Sequence, residues 1–135
     1  MKKLFLFITF CLSVFLPASN AEGKNEPPGP VESIAAAIKS GNSRELAAYF
    51  SSTVEIILPG SEGAFSKAQA EIIMKDFFAK SEPVSFAVNQ KGNSAGGAQF
   101  VIGTYRNKSE TLNVYMLLKP FSNQLLIQQI HFEAD

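Results

Sequence analysis

The side chains able to do chemistry in this 135-residue chain are few and scattered. His131 is the one histidine. A metal site needs several convergent ligands, so a lone imidazole on a strand reads as structural or solvated. Glu133 and Asp135 follow it at the chain end. Glu55 stands between Val54 and Ile56. That alternation puts its carboxylate on one face of a strand, either in solvent or as a general base at the mouth of a cavity. Tyr49 and Tyr105 are the phenols that could assist such a base. Gln128 interrupts an apolar stretch, and a buried amide needs partners, which protein groups or a ligand can supply. Gly92, Gly96 and Gly97 flank Asn93-Ser94-Ala95, but no helix follows, so this is no phosphate loop. Asn107-Lys108-Ser109 fits a glycosylation acceptor and also a tight turn. No Ser-His-Asp or metal-ligand spacing occurs.

The N-terminus narrows the chemistry further. Lys2 and Lys3 precede an uncharged apolar run from Leu4 to Leu16, and Ser19 and Ala21 are the small residues of a cleavage site. Residues 1–21 therefore read as a secretory signal peptide. The run is too short to span a bilayer, which takes roughly 20 apolar residues. Cys11 follows Phe10 inside it, so the small residues that precede a lipidated cysteine are missing. The expected product is exported, periplasmic or secreted, with no membrane span after processing. Cys11 is the one cysteine, so the mature part has no thiolate nucleophile, disulfide or cysteine metal site. Without Lys2 and Lys3, ten basic residues face twelve acidic ones. That balance leaves no basic stripe for nucleic acid.

The elements that must position these residues follow from the patterning. Residues 22–30 form a polar, Pro-containing tether, and residues 31–135 one domain. Pro30 suits a first helical position, and Val31, Ile34, Ala35 and Ile38 repeat at helical spacing up to Gly41. A short helix is predicted from Ser43 to Phe50 and a strand from Thr53 to Leu58, ended by Pro59-Gly60. Ser61–Ala64 reads as a loop, with a short return strand at Ala64-Phe65. Ser66 and Gln69 have capping-box spacing ahead of a helix reaching Ser81. Ala70, Ile73 and Phe77 share one face of it, widened by Ile72, Met74 and Phe78. Beyond Pro83, Val84, Phe86 and Val88 alternate, Lys91–Gly97 is a turn, and strands follow at 98–106, 110–119 and 124–133.

Register fixes the faces. A turn over Pro120–Asn123 pairs Leu118 with Leu126, Met116 with Gln128, Val114 with Ile130 and Leu112 with Phe132, and leaves His131 outside, opposite Asn113. A two-residue turn at Lys108-Ser109 adds Val101, Gly103 and Tyr105 to the inner face. The outer face then carries Phe100, Ile102, Tyr115, Leu117, Leu125 and Ile127, too apolar for open solvent.

Two stretches carry a family resemblance, VESIAAAIKSGNSRELAAYFSSTVEIILPGSEGAFSKAQAEIIMKDFF and VIGTY through NVYMLLKPFSNQLLIQQIHFE. Through them the chain resembles a family of small exported bacterial proteins, domain of unknown function 4783. The element order α-α-β-(β)-α-β-β-β-β resembles the nuclear-transport-factor-2-like (cystatin-like) α+β cone, a curved antiparallel sheet over a long helix. The resemblance implies that fold, and frequently a homodimer through the outer sheet face. It implies no reaction, because the fold hosts enzymes and inert binders alike. In cone-fold isomerases a carboxylate base works with a tyrosine and a protonated acid. Here the inner face offers no second acid.

The expectation is an exported, non-catalytic domain that binds a small apolar ligand or a protein partner, without cofactor or metal. The pocket would be lined by Tyr49, Val101, Gly103, Tyr105, Met116 and Gln128, with Gly103 leaving space. The homodimer would bury Phe100, Ile102, Tyr115, Leu117 and Ile127. An isomerase- or hydrolase-like enzyme using Glu55 and a tyrosine is the alternative, and an accessory dimer with a filled cone the third reading.

Overall fold

The computed structural model describes residues 27–134, so the predicted leader, its cleavage site and most of the tether lie outside the described residues. Helix α1 spans Pro30–Ser40, with Pro30 in its first turn and Gly41 closing it in the left-handed conformation at φ 67°. Helix α2 (Ser43–Ala47) is capped by the Asn42 side chain, which accepts from the Glu45 amide. It stops three residues short of the prediction. Phe50 is instead the first residue of β1 (Phe50–Leu58), paired with Ile127, and the Tyr49 carbonyl accepts from the Ile127 amide at 2.7 Å. Tertiary strand pairing thus overrides the helical pattern of a short segment.

Strand β2 (Ser61–Ser66) occupies the whole predicted loop, because Pro59-Gly60 makes a two-residue turn, with Gly60 at φ 89°, and Leu58 pairs at once with Ser61. Ser66 then caps α3 (Lys67–Lys80) in the predicted capping box. Ala70, Met74, Phe77 and Phe78 are buried, whereas Ile72 is 68% exposed rather than part of the core face. Strand β3 (Ser85–Asn93) runs past Lys91 through the predicted turn, held by pairing with β4 (Gln99–Arg106), and a 3-10 turn at Ala95–Gly97 joins them. Val84 precedes the strand and is exposed. Strands β5 (Thr111–Phe121) and β6 (Gln124–Ala134) complete a six-stranded sheet of order β2-β1-β6-β5-β4-β3. It is antiparallel except for the parallel pair β1–β6.

The β4–β5 register agrees with the sequence reading: Val101 faces Met116, Gly103 faces Val114 and Tyr105 faces Leu112. The Asn107 side chain builds this turn by accepting from the Ser109 and Glu110 amides at 2.8 and 2.7 Å. The β5–β6 register differs. Ser122 and Asn123, at φ 47° and 66°, form a two-residue hairpin loop, so Phe121 pairs with Gln124 and Leu118 with Ile127. A bulge between Leu117 and Leu118 then shifts the pairing once more, setting Met116 opposite Ile130 and Val114 opposite Phe132. Ile127 is therefore a fully buried core residue, not an outer-face one, and His131 faces Tyr115 rather than Asn113.

The three helices and the inner face of the sheet share one core, with Ile34, Ile38, Leu46, Met74, Tyr105 and Phe132 among its buried side chains.

Candidate functional site

The inner face, where sequence placed a pocket, is filled. Val101, Tyr105 and Met116 are all but inaccessible to solvent. Gly103 leaves no space: a Cβ there would stand 2.8 Å from the Phe86 ring and 2.7 Å from the Ala87 carbonyl oxygen. Phe77, Tyr105 and Phe132 pack as an aromatic cluster with centroids 4.9 to 5.7 Å apart. The Tyr105 hydroxyl donates to the Ser81 carbonyl, and burial pushes its phenol pKa up to about 12. It is a structural donor, far from proton transfer near neutral pH.

Gln128 does not face this interior. It lies at the β5–β6 bulge, beside the buried Ile127, and donates to the Ser51 hydroxyl at 3.0 Å, joining β6 to β1. Tyr49 is also outside the cone. With Pro28, Pro30, Pro120 and Leu125 it lines a surface cleft of about 690 Å³ between the tether, α2 and the β5–β6 hairpin. The expected pocket residues thus divide into three places, and only Val101, Gly103, Tyr105 and Met116 remain together, in the core.

The outer face is where polar and apolar groups meet in the open. Two rows cross all six strands. One runs Gly92, Phe100, Leu117, Gln129, Glu55 and Ala64. The other runs Gln90, Ile102, Tyr115, His131, Ile57 and Glu62. Phe100, Ile102, Leu117 and Ile57 are half-buried and Tyr115 is exposed, so the apolar centre is open to water.

Glu55 belongs to this face, across the sheet from Tyr105, so the carboxylate and that phenol do not meet. Its neighbour is His131, with Glu55 Oε1 3.5 Å from His131 Nε2. The Tyr115 ring lies 5.7 Å from the imidazole, centroid to centroid. Sequence separation hides this cluster, because the parallel β1–β6 pairing that creates it has no local signal. Among the described residues no group of three or more His, Cys, Asp or Glu is placed to hold a metal ion. No described helix is long and apolar enough to cross a membrane.

The family model for domain of unknown function DUF4783 matches residues 31–133. The chain belongs to the DUF4783 family. A DUF4783 protein from Bacteroides ovatus is 32% identical, superimposes with a TM-score of 0.72, and matches over 84% of this chain and 98% of its own. One from Bacteroides uniformis is 30% identical at the same TM-score, over 77% of this chain and 95% of its own. A putative ketosteroid isomerase from Kribbella flavida shares the fold alone, at 12% identity and a TM-score of 0.57, over 78% and 74% of the two chains. No curated protein shows a significant match. This DUF4783 chain has the nuclear-transport-factor-2-like α+β fold expected from its element order.

Proposed function

We propose that this DUF4783 protein is an exported, non-catalytic interaction domain that assembles with a second copy of itself through the open outer face of its sheet. The observation that carries this reading is the contrast between the two faces. The cone interior is closed by its own side chains, while the outer face presents Phe100, Ile102, Tyr115 and Leu117 to water. Burying such a patch returns about 25 cal/mol per Å², offset in part by association entropy.

Charge favours a second copy as the occupant. Glu55, Glu62 and Glu133 lie on β1, β2 and β6, whereas Arg106 and Lys119 lie on β4 and β5. A two-fold contact with its axis along the strands lays the acidic half of one copy on the basic half of the other. Export is supported by the composition of residues 1–21.

Light scattering at micromolar concentration tests the assembly. The mature protein should scatter as twice the chain mass, and Leu117→Lys as a monomer. A wild-type monomer throughout that range refutes self-assembly. A small apolar ligand is the second reading, and the Tyr49 cleft supports it in place of the cone. If it holds, such a ligand raises the melting temperature of wild type and not of Tyr49→Ala.

A further inference from the structure

We propose that the cleft beside Tyr49 is a carbohydrate site that takes a pyranose ring of a neutral sugar. The proposal rests on the Tyr49-cleft reading above, not on self-assembly. It narrows the ligand to one that is apolar on its ring faces and hydroxylated at its edge. The cleft holds about 690 Å³, within the roughly 300–1,000 Å³ of small-molecule sites. Leu125 packs against the core, so the cleft opens on the inner side of the sheet, beyond the filled interior and away from the assembly face.

Its walls are rigid. Tyr49 is fixed through its backbone, donating to the Leu46 carbonyl at 3.0 Å and accepting from the Ile127 amide at 2.7 Å. Pro28, Pro30 and Pro120 add rings with little rotational freedom to lose, which lowers the cost of binding. Pro120 is itself paired with Leu125 across the β5–β6 hairpin. An aromatic face carries negative charge density, and the C–H bonds on the face of a pyranose meet it favourably.

The hydrogen-bonding groups sit together on one rim. Asn123 and Gln124 line the cleft, and their side-chain amides make no hydrogen bond among the described residues. Each amide both donates and accepts, as a sugar hydroxyl does. None of the described lining residues is charged, so an ionised ligand would be desolvated there without a counter-charge. Asn123 also occupies a place that hairpin chemistry favours for glycine. It is the second residue of the Ser122-Asn123 loop, at φ 66°, and these two are the non-glycine residues with positive φ among those described. A side chain is retained where its absence is the easier solution, and it belongs to a residue that borders the cleft.

Asn123→Gly makes the test selective, because it removes an amide at a position that glycine suits. Cellobiose, maltose and N,N′-diacetylchitobiose are titrated at millimolar concentration against the isotope-labelled mature protein, with toluene as an apolar ring that lacks hydroxyls. At least one sugar should shift the Asn123 and Gln124 side-chain amide resonances saturably. Tyr49→Ala should abolish the shift. Asn123→Gly should weaken sugar binding several-fold, the loss of one hydrogen bond, with toluene binding and the melting temperature unchanged. Leu117→Lys should bind sugar as wild type does. Toluene binding at these residues with no sugar response overturns the sugar proposal and leaves the apolar-ligand reading standing. No response to either kind of probe overturns both. Equal sugar affinity in Asn123→Gly and wild type overturns the assignment of the amide rim.

Discussion

The hydrogen that Gly103 carries in place of a side chain is what lets the Phe86 ring pack against β4: a Cβ there would approach the ring to 2.8 Å. Real side chains do not tolerate such a contact, and the Ala87 carbonyl at 2.7 Å blocks retreat toward β3. The glycine is therefore a packing device and not a vacancy. Gly103→Ala should destabilise the domain by about 1–3 kcal/mol, the usual range for overpacking a core. Denaturant titration measures this, and a neutral substitution would reopen the case for a cavity beside β4.

Tyr105 gives a pH signature. Its phenol is held neutral up to about pH 12, against an ordinary value of 10.0, chiefly by burial. A folded-state pKa above the unfolded one means that the unfolded chain releases this proton first. Stability is then intact below pH 10 and falls as the pH rises toward 12, by at most about 1.4 kcal/mol per unit. Tyr105→Phe should remove that alkaline slope. Its cost at neutral pH should be only about 1 kcal/mol, for the lost bond to Ser81.

The β5–β6 register makes opposite predictions for two neighbouring apolar side chains. Ile127 is fully buried, so Ile127→Ala should cost about 2–5 kcal/mol. Leu117 is half-buried on the outer face, and Leu117→Ala should cost the folded monomer about 1 kcal/mol or less. Equal losses in the unfolding midpoint would show that the β5–β6 register is not as described.

Export predicts a mature chain beginning at Glu22, which intact-mass measurement of the extracytoplasmic fraction reads directly. A product that keeps Met1, or one that starts at a lipidated Cys11, would overturn cleavage after Ala21.

The elements that local chemistry dictates were legible from the sequence alone. Pro30 and Gly41 bound α1, Ser66 and Gln69 start α3, and the Asn107 turn sets the β4–β5 register, each through backbone contacts a few residues apart. One cause of the failures is distance along the chain. The end of α2 and the meeting of Glu55 with His131 both follow from β1 lying beside β6. Nothing near Phe50 or Gln128 announces that partnership. The β5–β6 register failed for a second reason. A one-residue change in the hairpin loop reverses every face, and the bulge at Leu117 reverses part of them back.

The parallel pair β1–β6 also sets an order of events. Ser51 and Gln128 are bonded across 77 positions of sequence, whereas β1–β2 and the hairpins from β3 to β6 close over short turns. The two parts can form locally, but they become one sheet only when β1 docks on β6. Loop-closure entropy makes that joining late and slow. A chain ending before Gln124 should consequently stay open, with the free edges of β1 and β5 exposed to aggregation.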